Sequence, residues 1–312
     1  CAWQQLDYAH QTEAKAAMVR GILGRLDLDP PELIPCDAEL AYRRRVRLSW
    51  RGVGGGLVMG FFRRRSKELL DVQSCPLLRP ALLERLAGLR SALGHPGPGR
   101  GSVVMVEGAS GDVSVSARTA DGVQRLGPAQ EVRLIPEQDG ELWGSALAFC
   151  QANASQEERM RRLVSHLAGT DPGRVLELFA GVGSLTMALA SQAERLTAVE
   201  TSEQAVSLLR RNTRGLGAHI ELRNCSAEEA LSRDAGRWDT VALDPPREGA
   251  KGLAPGIADT GASRVIYVSC DPMTLRRDVQ ELQEQGFRPV KATALDLMPQ
   301  THHVEVVMLL ER

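Results

Sequence analysis

Residues 176–184 read LELFAGVGS, an apolar run that passes through two glycines into a helix pattern. Gly181 and Gly183 lack the side chain that would hold a bound molecule away from the backbone. The next strand pattern ends at Glu200, whose carboxylate can accept hydrogen bonds from both hydroxyls of a ribose. The stretch therefore predicts a strand, a loop that binds a nucleoside-type cofactor, and a helix.

The glycine pair alone does not identify the cofactor, because dehydrogenases and methyltransferases share it. Dinucleotide-binding loops have a third glycine where the pyrophosphate is cradled, and the sequence has none at that position. This difference favours S-adenosylmethionine, which contains no pyrophosphate, over NAD.

Strand and helix patterns alternate through residues 151–312. Strands alternating with helices at this spacing form a parallel sheet wound by helices, so we predict a Rossmann-like α/β methyltransferase domain there. Ser155 and Glu158 fit a capping box at the start of its first helix. The predicted strands are 174–179, 196–200, 218–223, 239–243, 264–269 and a terminal strand at 301–310, and a helix is predicted over 273–285.

Three chemically capable residues stand at or near strand ends. Asp244 begins a loop that two prolines make rigid, and Cys270 follows the next strand, where open α/β sheets place their chemistry. Glu305 lies among apolar residues, where burial raises a carboxyl pKa towards that of a general base. The structural alternatives are a small buried hydrophobe for Cys270, a strand terminator for Asp244 and a buried structural acid for Glu305. His302 and His303 have no third ligand at suitable spacing, so no metal site is predicted there.

Residues 1–150 are predicted to form a β-rich α+β domain that precedes the Rossmann-like domain and engages RNA. Two strand-like runs flank a turn at Gly54–Gly56 and form a hairpin, and the glycine- and proline-rich residues 94–101 form a loop. The predicted helices are 11–26 and 81–93, the predicted strands are 46–50, 57–62, 102–107, 113–117 and 132–135, and residues 28–39 form a connector.

The hairpin is strongly basic, with no acidic residue between Tyr42 and Lys67. Its like charges repel one another unless a polyanion or nearby carboxylates neutralise them, and guanidinium groups suit phosphates. Interleaved aromatic side chains can stack on bases. The alternative is a solvated basic face. The residues predicted to contact RNA are Arg43, Arg44, Arg45, Arg63, Arg64 and Arg65.

Composition limits the partners and the location of the chain. The net charge of the 312 residues is −1, so no global basic field points to nucleic acid and any such signal must be local. No apolar run approaches the roughly 18–20 residues that span a bilayer. Six scattered cysteines favour a reducing compartment. We therefore expect a cytoplasmic monomer with no membrane partner.

Motifs spread in a fixed order over nearly the whole chain resemble those of the uracil-C5 RNA methyltransferase family. The similarity is greatest to its 23S ribosomal RNA branch, whose members also carry an iron–sulfur cluster. Any one motif alone would be unspecific, whereas their combination is specific. The motifs are CAWQQLDYAHQTEAK at the start, YRRRVRLSW, GFFRRRS, DVQSCPLL, FCQAN, LELFAGVGSLT, LDPPREGA, VSCDPMTLRRDV and MPQTHHVEVVMLL.

The resemblance implies roles for the residues at matching positions, with Cys270 as the nucleophile and Glu305 as the proton acceptor. The family often has asparagine where Ser184 stands, and asparagine or aspartate near where Ser226 stands. Cofactor contacts at these two positions are therefore expected to be weaker or rearranged. The cofactor- and base-contacting positions are Gln151, Phe179, Gly181, Gly183, Ser184, Glu200, Ser226 and Asp244.

The iron–sulfur cluster is only partly represented. Cys1 and Cys75 match two of the four ligands of the family, whereas Cys36 and Cys150 match none. The chain begins at Cys1 without an initiator methionine, so the other two ligands and a small RNA-binding β-barrel are expected upstream. We expect the full-length protein to bind [4Fe–4S] and this fragment not to bind it.

The predicted function is methyl transfer from S-adenosylmethionine to C5 of a uridine in structured RNA, with 23S rRNA favoured and tRNA as the competitor. A cytosine-C5 methyltransferase is a weaker rival. A noncatalytic RNA-binding or assembly factor is the alternative if truncation abolishes activity. An NAD-dependent oxidoreductase would leave Cys270 and Glu305 without a role.

Overall fold

The computed structural model describes residues 1–53, 56–93, 99–136, 140–217, 219–233 and 236–312. Gly54 and Gly55 of the predicted turn and residues 94–98 of the predicted loop lie outside the described residues. The chain forms two compact units. The α/β unit comprises Cys1–Asp37 and Ser155–Arg312, and the β-rich unit comprises Ala38–Ala154.

Helices and strands follow one another along the whole chain. Up to residue 144 they are α1 (Tyr8–Leu23), β1 (Glu32–Ile34), β2 (Arg45–Val53), β3 (Gly56–Phe62), β4 (Leu69–Asp71), α2 (Pro80–Leu93), β5 (Arg100–Glu107), β6 (Val113–Thr119), β7 (Gly122–Arg125), β8 (Val132–Arg133) and β9 (Trp143–Gly144). They continue with α3 (Ala154–Ala168), β10 (Arg174–Leu178), α4 (Ser184–Ala190), β11 (Arg195–Val199), α5 (Glu203–Asn212), β12 (Ile220–Arg223), α6 (Ala227–Arg233), β13 (Thr240–Leu243), α7 (Ala254–Asp259), β14 (Arg264–Ser269), α8 (Pro272–Glu284), β15 (Arg288–Leu295) and β16 (Glu305–Glu311).

The α/β unit contains an eight-stranded sheet in the order β1-β15-β16-β14-β13-β10-β11-β12. The strands predicted ahead of the terminal strand are present with small shifts at their ends, and they pair in parallel, which confirms the Rossmann-like α/β fold. The terminal strand begins at Glu305 and runs antiparallel between β14 and β15. Its direction was not predicted, and neither was β15, whose sequence is interrupted by Pro289 and Lys291 at a register shift.

The central strands are mostly apolar because both faces of the sheet are covered. Side chains of a strand alternate between the faces. Leu176 and Val265 share a core with α1 and α8, while Val175 and Ile266 share a core with α3 and α4. This burial on both sides fixes the sheet and holds its strand ends in place.

Residues 1–37 belong to the α/β unit, whereas the sequence placed residues 1–150 in one domain. β1 pairs in parallel with β15, so the predicted connector at 28–39 contains an edge strand. Lys15 of α1 forms a fully buried ion pair with Asp296, with 2.6 Å between Nζ and Oδ1. Contacts between residues so distant in sequence leave no local pattern, which explains the difference.

Helix starts follow from local hydrogen bonds. Asp7 caps α1 by accepting a hydrogen bond from the backbone N–H of His10, so the helix starts earlier than predicted. α3 begins at Ala154, so Ser155 lies inside the helix, and the predicted capping box is wrong. No helix in the described part of the chain is long and apolar enough to cross a membrane.

The β-rich unit is built on an antiparallel sheet in the order β4-β3-β2-β5-β6-β7, with β8 and β9 as a separate pair. The predicted hairpin is formed by β2 and β3. Leucines of α2 pack against Leu48, Trp50 and Met105 on one face of the sheet. A helix covering an antiparallel sheet agrees with the predicted β-rich α+β character, although the short strands β4, β7 and β9 were not predicted.

Candidate active site

The candidate site lies at the carboxyl edge of the eight-stranded sheet. The parallel strands β10, β11, β13 and β14 end at this edge. The residues that follow them are Phe179, Glu200, Asp244 and Cys270. The structure thus gathers four of the predicted site residues along one edge.

Glu305 reaches the same edge from the opposite direction. β16 is antiparallel to β14, and Val306 is paired with Ser269. Glu305 and Cys270 therefore each stand one residue beyond this pair, on neighbouring strands. Glu305 is also paired with Leu295 of β15 and is 3% exposed. The antiparallel direction brings a residue at the start of the last strand to the end of β14.

Cys270 is half-buried between β14 and α8. Asp271 caps α8 and fixes the turn, because its carboxylate accepts hydrogen bonds from the first turn of the helix. Burial, followed by the charges of Glu305 and Asp244, raises the pKa of the Cys270 thiol to about 11, although Arg247 opposes this rise. The free protein therefore holds Cys270 as a neutral thiol at neutral pH.

Glu305 also favours its protonated form. Burial raises the pKa of its carboxyl well above the ordinary value, the charge of Asp244 adds to this effect and Arg247 opposes it. Arg247 in turn lies against His303, with 3.3 Å between Nη2 and Nε2. A buried carboxyl group with a raised pKa is suited to accept a proton from a weakly acidic carbon.

The loop after β13 is attached to α8 through Asp278. This side chain is 2% exposed and accepts hydrogen bonds from the Tyr267 hydroxyl at 2.6 Å and from the Ala250 backbone N–H at 2.7 Å. Arg277 bonds to Asp278 and donates to a carbonyl oxygen of the loop. Because α8 starts directly after Cys270, one helix holds both the loop and the cysteine.

The loop between β10 and α4 has left-handed backbone conformations, which favour glycine. φ is +61° at Phe179, +57° at Gly181 and +96° at Gly183. A Cβ at Gly183 would lie 2.7 Å from Cδ1 of Leu209, whereas a Cβ at Gly181 would meet nothing within 4 Å. The Gly181 N–H donates to Oε2 of Glu200 at 2.9 Å. Gly183 is thus required by packing, and open space lies next to Gly181.

Ser184 and Ser226 have partners inside the protein. The Ser184 hydroxyl donates to Oε1 of Glu157 at 2.9 Å. The Ser226 hydroxyl accepts from the backbone N–H of Glu229 at 3.1 Å, at the start of α6. A cofactor that contacts either serine would have to bind a hydroxyl group that already makes one of these hydrogen bonds. The predicted cofactor contacts of Ser184 and Ser226 therefore stay predictions.

Sequence reasoning missed Glu177, which lies on β10 just before the glycine loop. It is 1% exposed, and burial raises the pKa of its carboxyl to about 8. Thr186 of α4 donates to its Oε2 at 2.6 Å, while its Oε1 has no hydrogen-bond partner among the described residues. The acidic residue inside an otherwise apolar strand was the sequence signal that could have identified Glu177. Asp278 was missed in the same way, and its signal was an acidic residue on the apolar face of α8.

Arg44 was predicted to contact RNA, and this prediction is wrong. Its side chain is 1% exposed in the β-rich unit. Its Nε donates to the carbonyl oxygen of Gln151 at 3.0 Å and its Nη1 to that of Leu134 at 2.6 Å. The guanidinium is thus engaged in holding the unit together. Gln151 is itself buried in this unit, and its cofactor role stays a prediction.

The other hairpin arginines differ in their surroundings. Arg63 forms an exposed ion pair with Glu68, with 2.9 Å between Nε and Oε2, so a carboxylate just beyond the acid-free stretch neutralises part of its charge. Arg64 and Arg65 are exposed, whereas Arg43 and Arg45 are half-buried. Only part of this set can therefore meet a ligand from solvent.

The predicted cluster ligands Cys1 and Cys75 belong to different units of the chain. Cys1 is exposed in the α/β unit, and Cys75 is half-buried in the β-rich unit. Within the described ranges, no three His, Cys, Asp or Glu side chains come together as a metal-binding group. The residues described do not by themselves fit a four-cysteine cluster.

Comparison with known proteins gives the family. A family model described as tRNA (Uracil-5-)-methyltransferase matches residues 143–312. The 23S rRNA (uracil(1939)-C(5))-methyltransferase RlmD of Chromohalobacter salexigens is 33% identical over all of this chain and 74% of that protein. The RlmD of Vibrio vulnificus is 31% identical over all of this chain and 80% of that protein. The chain belongs to the uracil-C5 RNA methyltransferase family.

This assignment confirms the resemblance seen in the sequence motifs and makes the chain a member of a family of S-adenosylmethionine-dependent RNA methyltransferases. The methyltransferase is also similar in structure to the Pyrococcus abyssi tRNA (uracil-54, C5)-methyltransferase, which was solved in complex with S-adenosyl-L-homocysteine. The TM-score is 0.79 at 24% identity, over 99% of this chain and 84% of that chain. This likeness shows that the two proteins share a fold.

Proposed function

We propose that the protein methylates C5 of a uridine in 23S rRNA, with Cys270 as the nucleophile and Glu305 as the base that removes the C5 proton. The observation that carries the proposal is the placement of these two residues on neighbouring strands at the carboxyl edge of the sheet. The choice of rRNA is supported by relatives named as 23S rRNA methyltransferases, which are at least 31% identical to the chain over its whole length.

The nucleophile is needed because C5 of uracil reacts poorly with a methyl donor. The Cys270 thiol first loses its proton to solvent. The resulting thiolate adds to C6 of the base, and the C5–C6 π electrons move to give an enolate whose C5 can attack an electrophile. When bound, S-adenosylmethionine supplies that electrophile as the methyl group on its sulfonium. C5 would take this methyl group as the bond from the methyl carbon to the sulfonium sulfur breaks, with a neutral thioether as the leaving group. The base is then saturated at C5 and C6, methylated and attached to Cys270.

Release of the product requires the loss of one proton. Glu305 takes the proton from C5, the electrons of that C–H bond form the C5–C6 double bond, and the bond between C6 and the Cys270 sulfur breaks. The cysteine leaves as a thiolate and is ready for another cycle. Burial raises the pKa of this carboxyl, which makes its ionised form a stronger base.

The residues of the glycine loop fit the proposed cofactor. The left-handed backbone and open space at Gly181 allow close approach of a ligand. Glu200 is held by the Gly181 and Ser202 N–H groups, and its carboxylate oxygens retain lone pairs for ribose hydroxyls. Asp244, Phe179 and Gln151 remain proposed contacts to the cofactor or the base.

The resemblance to the 23S rRNA branch implies a [4Fe–4S] cluster in the full-length protein. Such a cluster takes four thiolates, whereas only Cys1 and Cys75 occupy matching positions in this chain. A longer form of this chain with two further cysteines upstream of Cys1 would complete the set of four ligands. Iron analysis of anaerobically purified full-length protein tests this, and an iron-free preparation would count against the cluster.

The function can be tested by tritium release from RNA labelled at uridine C5, with S-adenosylmethionine present. The protein should release tritium from a 23S rRNA transcript, and Cys270→Ala should release none. Release from tRNA transcripts alone would reassign the substrate within the family. Absence of release from either RNA with the full-length protein would overturn the proposal.

A further inference from the structure

We propose that the β-rich unit binds a phosphate group of the RNA backbone in a small arginine-lined cavity on the sheet face opposite α2. The inference rests on the proposed RNA substrate. The cavity has a volume of about 170 Å³. The lining residues that matter here are Arg45, Arg47, Arg118, Ser102, Ser116 and Leu147.

Strand alternation places these side chains on one face. Arg45 and Arg47 lie two residues apart on β2, while the intervening Val46 belongs to the core under α2. Across the sheet, Ser102 of β5 is paired with Arg118 of β6. The face that α2 leaves uncovered therefore carries these basic and hydroxyl side chains, together with apolar ones such as Val104, whereas the opposite face of the same strands packs in the core.

The wall of the cavity is fixed by hydrogen bonds from the sheet to the segment before Leu147. The Ala146 N–H donates to the Ser114 hydroxyl at 3.1 Å, and the Ser116 hydroxyl donates to the Ala146 carbonyl oxygen at 3.3 Å. Phe149 lies against Arg45, with 5.1 Å between the guanidinium carbon and the ring centroid. The arginines therefore line a shaped cavity and not a flat surface.

The charge in this cavity has no partner within the described part of the chain. Arg45, Arg47 and Arg118 form neither an ion pair nor a side-chain hydrogen bond there, and Nε of Arg45 is buried without an acceptor. Burial, followed by repulsion from Arg47 and Arg43, lowers the pKa of Arg45, although the Cys150 thiol opposes this. Arg47 and Arg118 are exposed to solvent, whereas Arg45 is half-buried next to Arg47. A partly buried positive charge beside another one is destabilising unless an anion neutralises it.

The size and chemistry of the cavity point to a phosphate. Pockets for whole drug-sized ligands measure roughly 300–1,000 Å³, so this one suits a small group and not a complete nucleotide. The guanidinium fork matches the oxygens of a phosphate. Serine hydroxyls add donors, and no acidic residue lines the cavity. A backbone phosphate would fix the register of the RNA without reading its sequence.

The test is equilibrium binding of a 23S rRNA transcript to the full chain at increasing salt. Arg47→Gln/Arg118→Gln should weaken binding several-fold and reduce the slope of log affinity against log salt by roughly one, because one phosphate contact is lost. Arg25→Gln/Arg288→Gln removes the same charge from exposed positions in the α/β unit and should leave the slope unchanged. Arg47→Lys/Arg118→Lys keeps the charge and should retain the wild-type slope.

Thermal unfolding should show no loss of stability in Arg47→Gln/Arg118→Gln, since neither side chain bonds to a described residue. A glutamine pair that binds RNA with the affinity and slope of the wild type would overturn the inference. The inference would also be overturned if the glutamine pair lost binding to poly-glutamate but bound RNA like the wild type. That result would show that the cavity binds acidic protein segments and not RNA. Tritium release by the same variants separates the cavity proposal from the proposed methylation of uridine. Wild-type RNA binding by the glutamine pair together with tritium release would overturn the cavity proposal alone and leave the methylation proposal standing.

Discussion

Glu305 stands next to Cys270 across neighbouring strands, because β16 runs antiparallel to β14 and pairs Val306 with Ser269. The two groups influence each other's protonation. The charge of Glu305 raises the pKa of Cys270, and burial raises the pKa of both groups. In the free protein, burial thus favours the thiol of Cys270 and the protonated form of Glu305 over their ionised forms. Arg247 is the described cation that favours both ionised forms.

The Cys270 thiol should react slowly at neutral pH. Because burial and then Glu305 raise its pKa to about 11, the thiolate fraction should rise about tenfold for each pH unit below that value. Iodoacetamide labelling followed by peptide mass spectrometry gives the rate against pH. Glu305→Gln removes the neighbouring charge and should shift the midpoint to lower pH. A wild-type midpoint at the ordinary thiol value of roughly 8.5 would contradict the environment described.

Glu305→Gln should also separate the two halves of the reaction. Addition of Cys270 and methylation can proceed, but the C5 proton has no acceptor and the bond to the cysteine persists. We expect a covalent complex between protein and methylated RNA that survives denaturing electrophoresis, with turnover reduced by at least roughly a hundredfold. Cys270→Ala/Glu305→Gln is the matched control and should form no complex. Normal turnover by Glu305→Gln would exclude the base role.

Sequence patterns predicted the strands, the glycine loop and the residues at the strand ends, because periodicity and chain order are local properties. The direction of β16 is not local. It depends on the insertion of that strand between β14 and β15, which the sequence did not reveal. For the same reason a basic sequence run did not separate the buried Arg44 from the exposed Arg64.

Asp278 should act as a positioning residue for the loop after β13. The Asp278 carboxylate accepts hydrogen bonds from Tyr267, Ala250 and Arg277, and Asp278→Asn replaces it with an uncharged amide that accepts through one oxygen only. We therefore expect the free energy of unfolding to fall by about 1–3 kcal/mol. The loop also carries Asp244, so kcat should fall more than KM for S-adenosylmethionine changes. Chemical denaturation and steady-state kinetics measure the two effects.

The control for this prediction is Tyr267→Phe, which removes one donor and leaves the Asp278 charge in place. It should lose about 0.5–1.5 kcal/mol and keep most of its activity. If Asp278→Asn has the stability and kcat of the wild type, the hydrogen bonds around Asp278 do not position the loop.

The buried pair of Lys15 and Asp296 should hold the first 37 residues to the α/β unit. Both side chains are fully buried, and Oδ2 of Asp296 has no further partner among the described residues. Lys15→Met leaves an uncompensated buried carboxylate and should cost about 3–5 kcal/mol in urea unfolding. Lys15→Met/Asp296→Leu removes both charges and should recover most of this loss. Equal stability of Lys15→Met and the wild type would contradict the buried pair.

Glu177 should make the stability of the protein fall as pH rises. Its folded pKa of about 8 exceeds the ordinary value of 4.5, so between these values the folded state holds a proton that the unfolded state has lost. The contribution of this group changes by up to about 1.4 kcal/mol per pH unit. Glu177→Gln cannot titrate, so its stability should decline less with pH, and it should exceed that of the wild type above about pH 8.

Denaturation across this range, with the exposed Glu194→Gln as a control that keeps the wild-type slope, measures the effect. The same pH slope in Glu177→Gln and the wild type would show that Glu177 is already ionised in the folded protein.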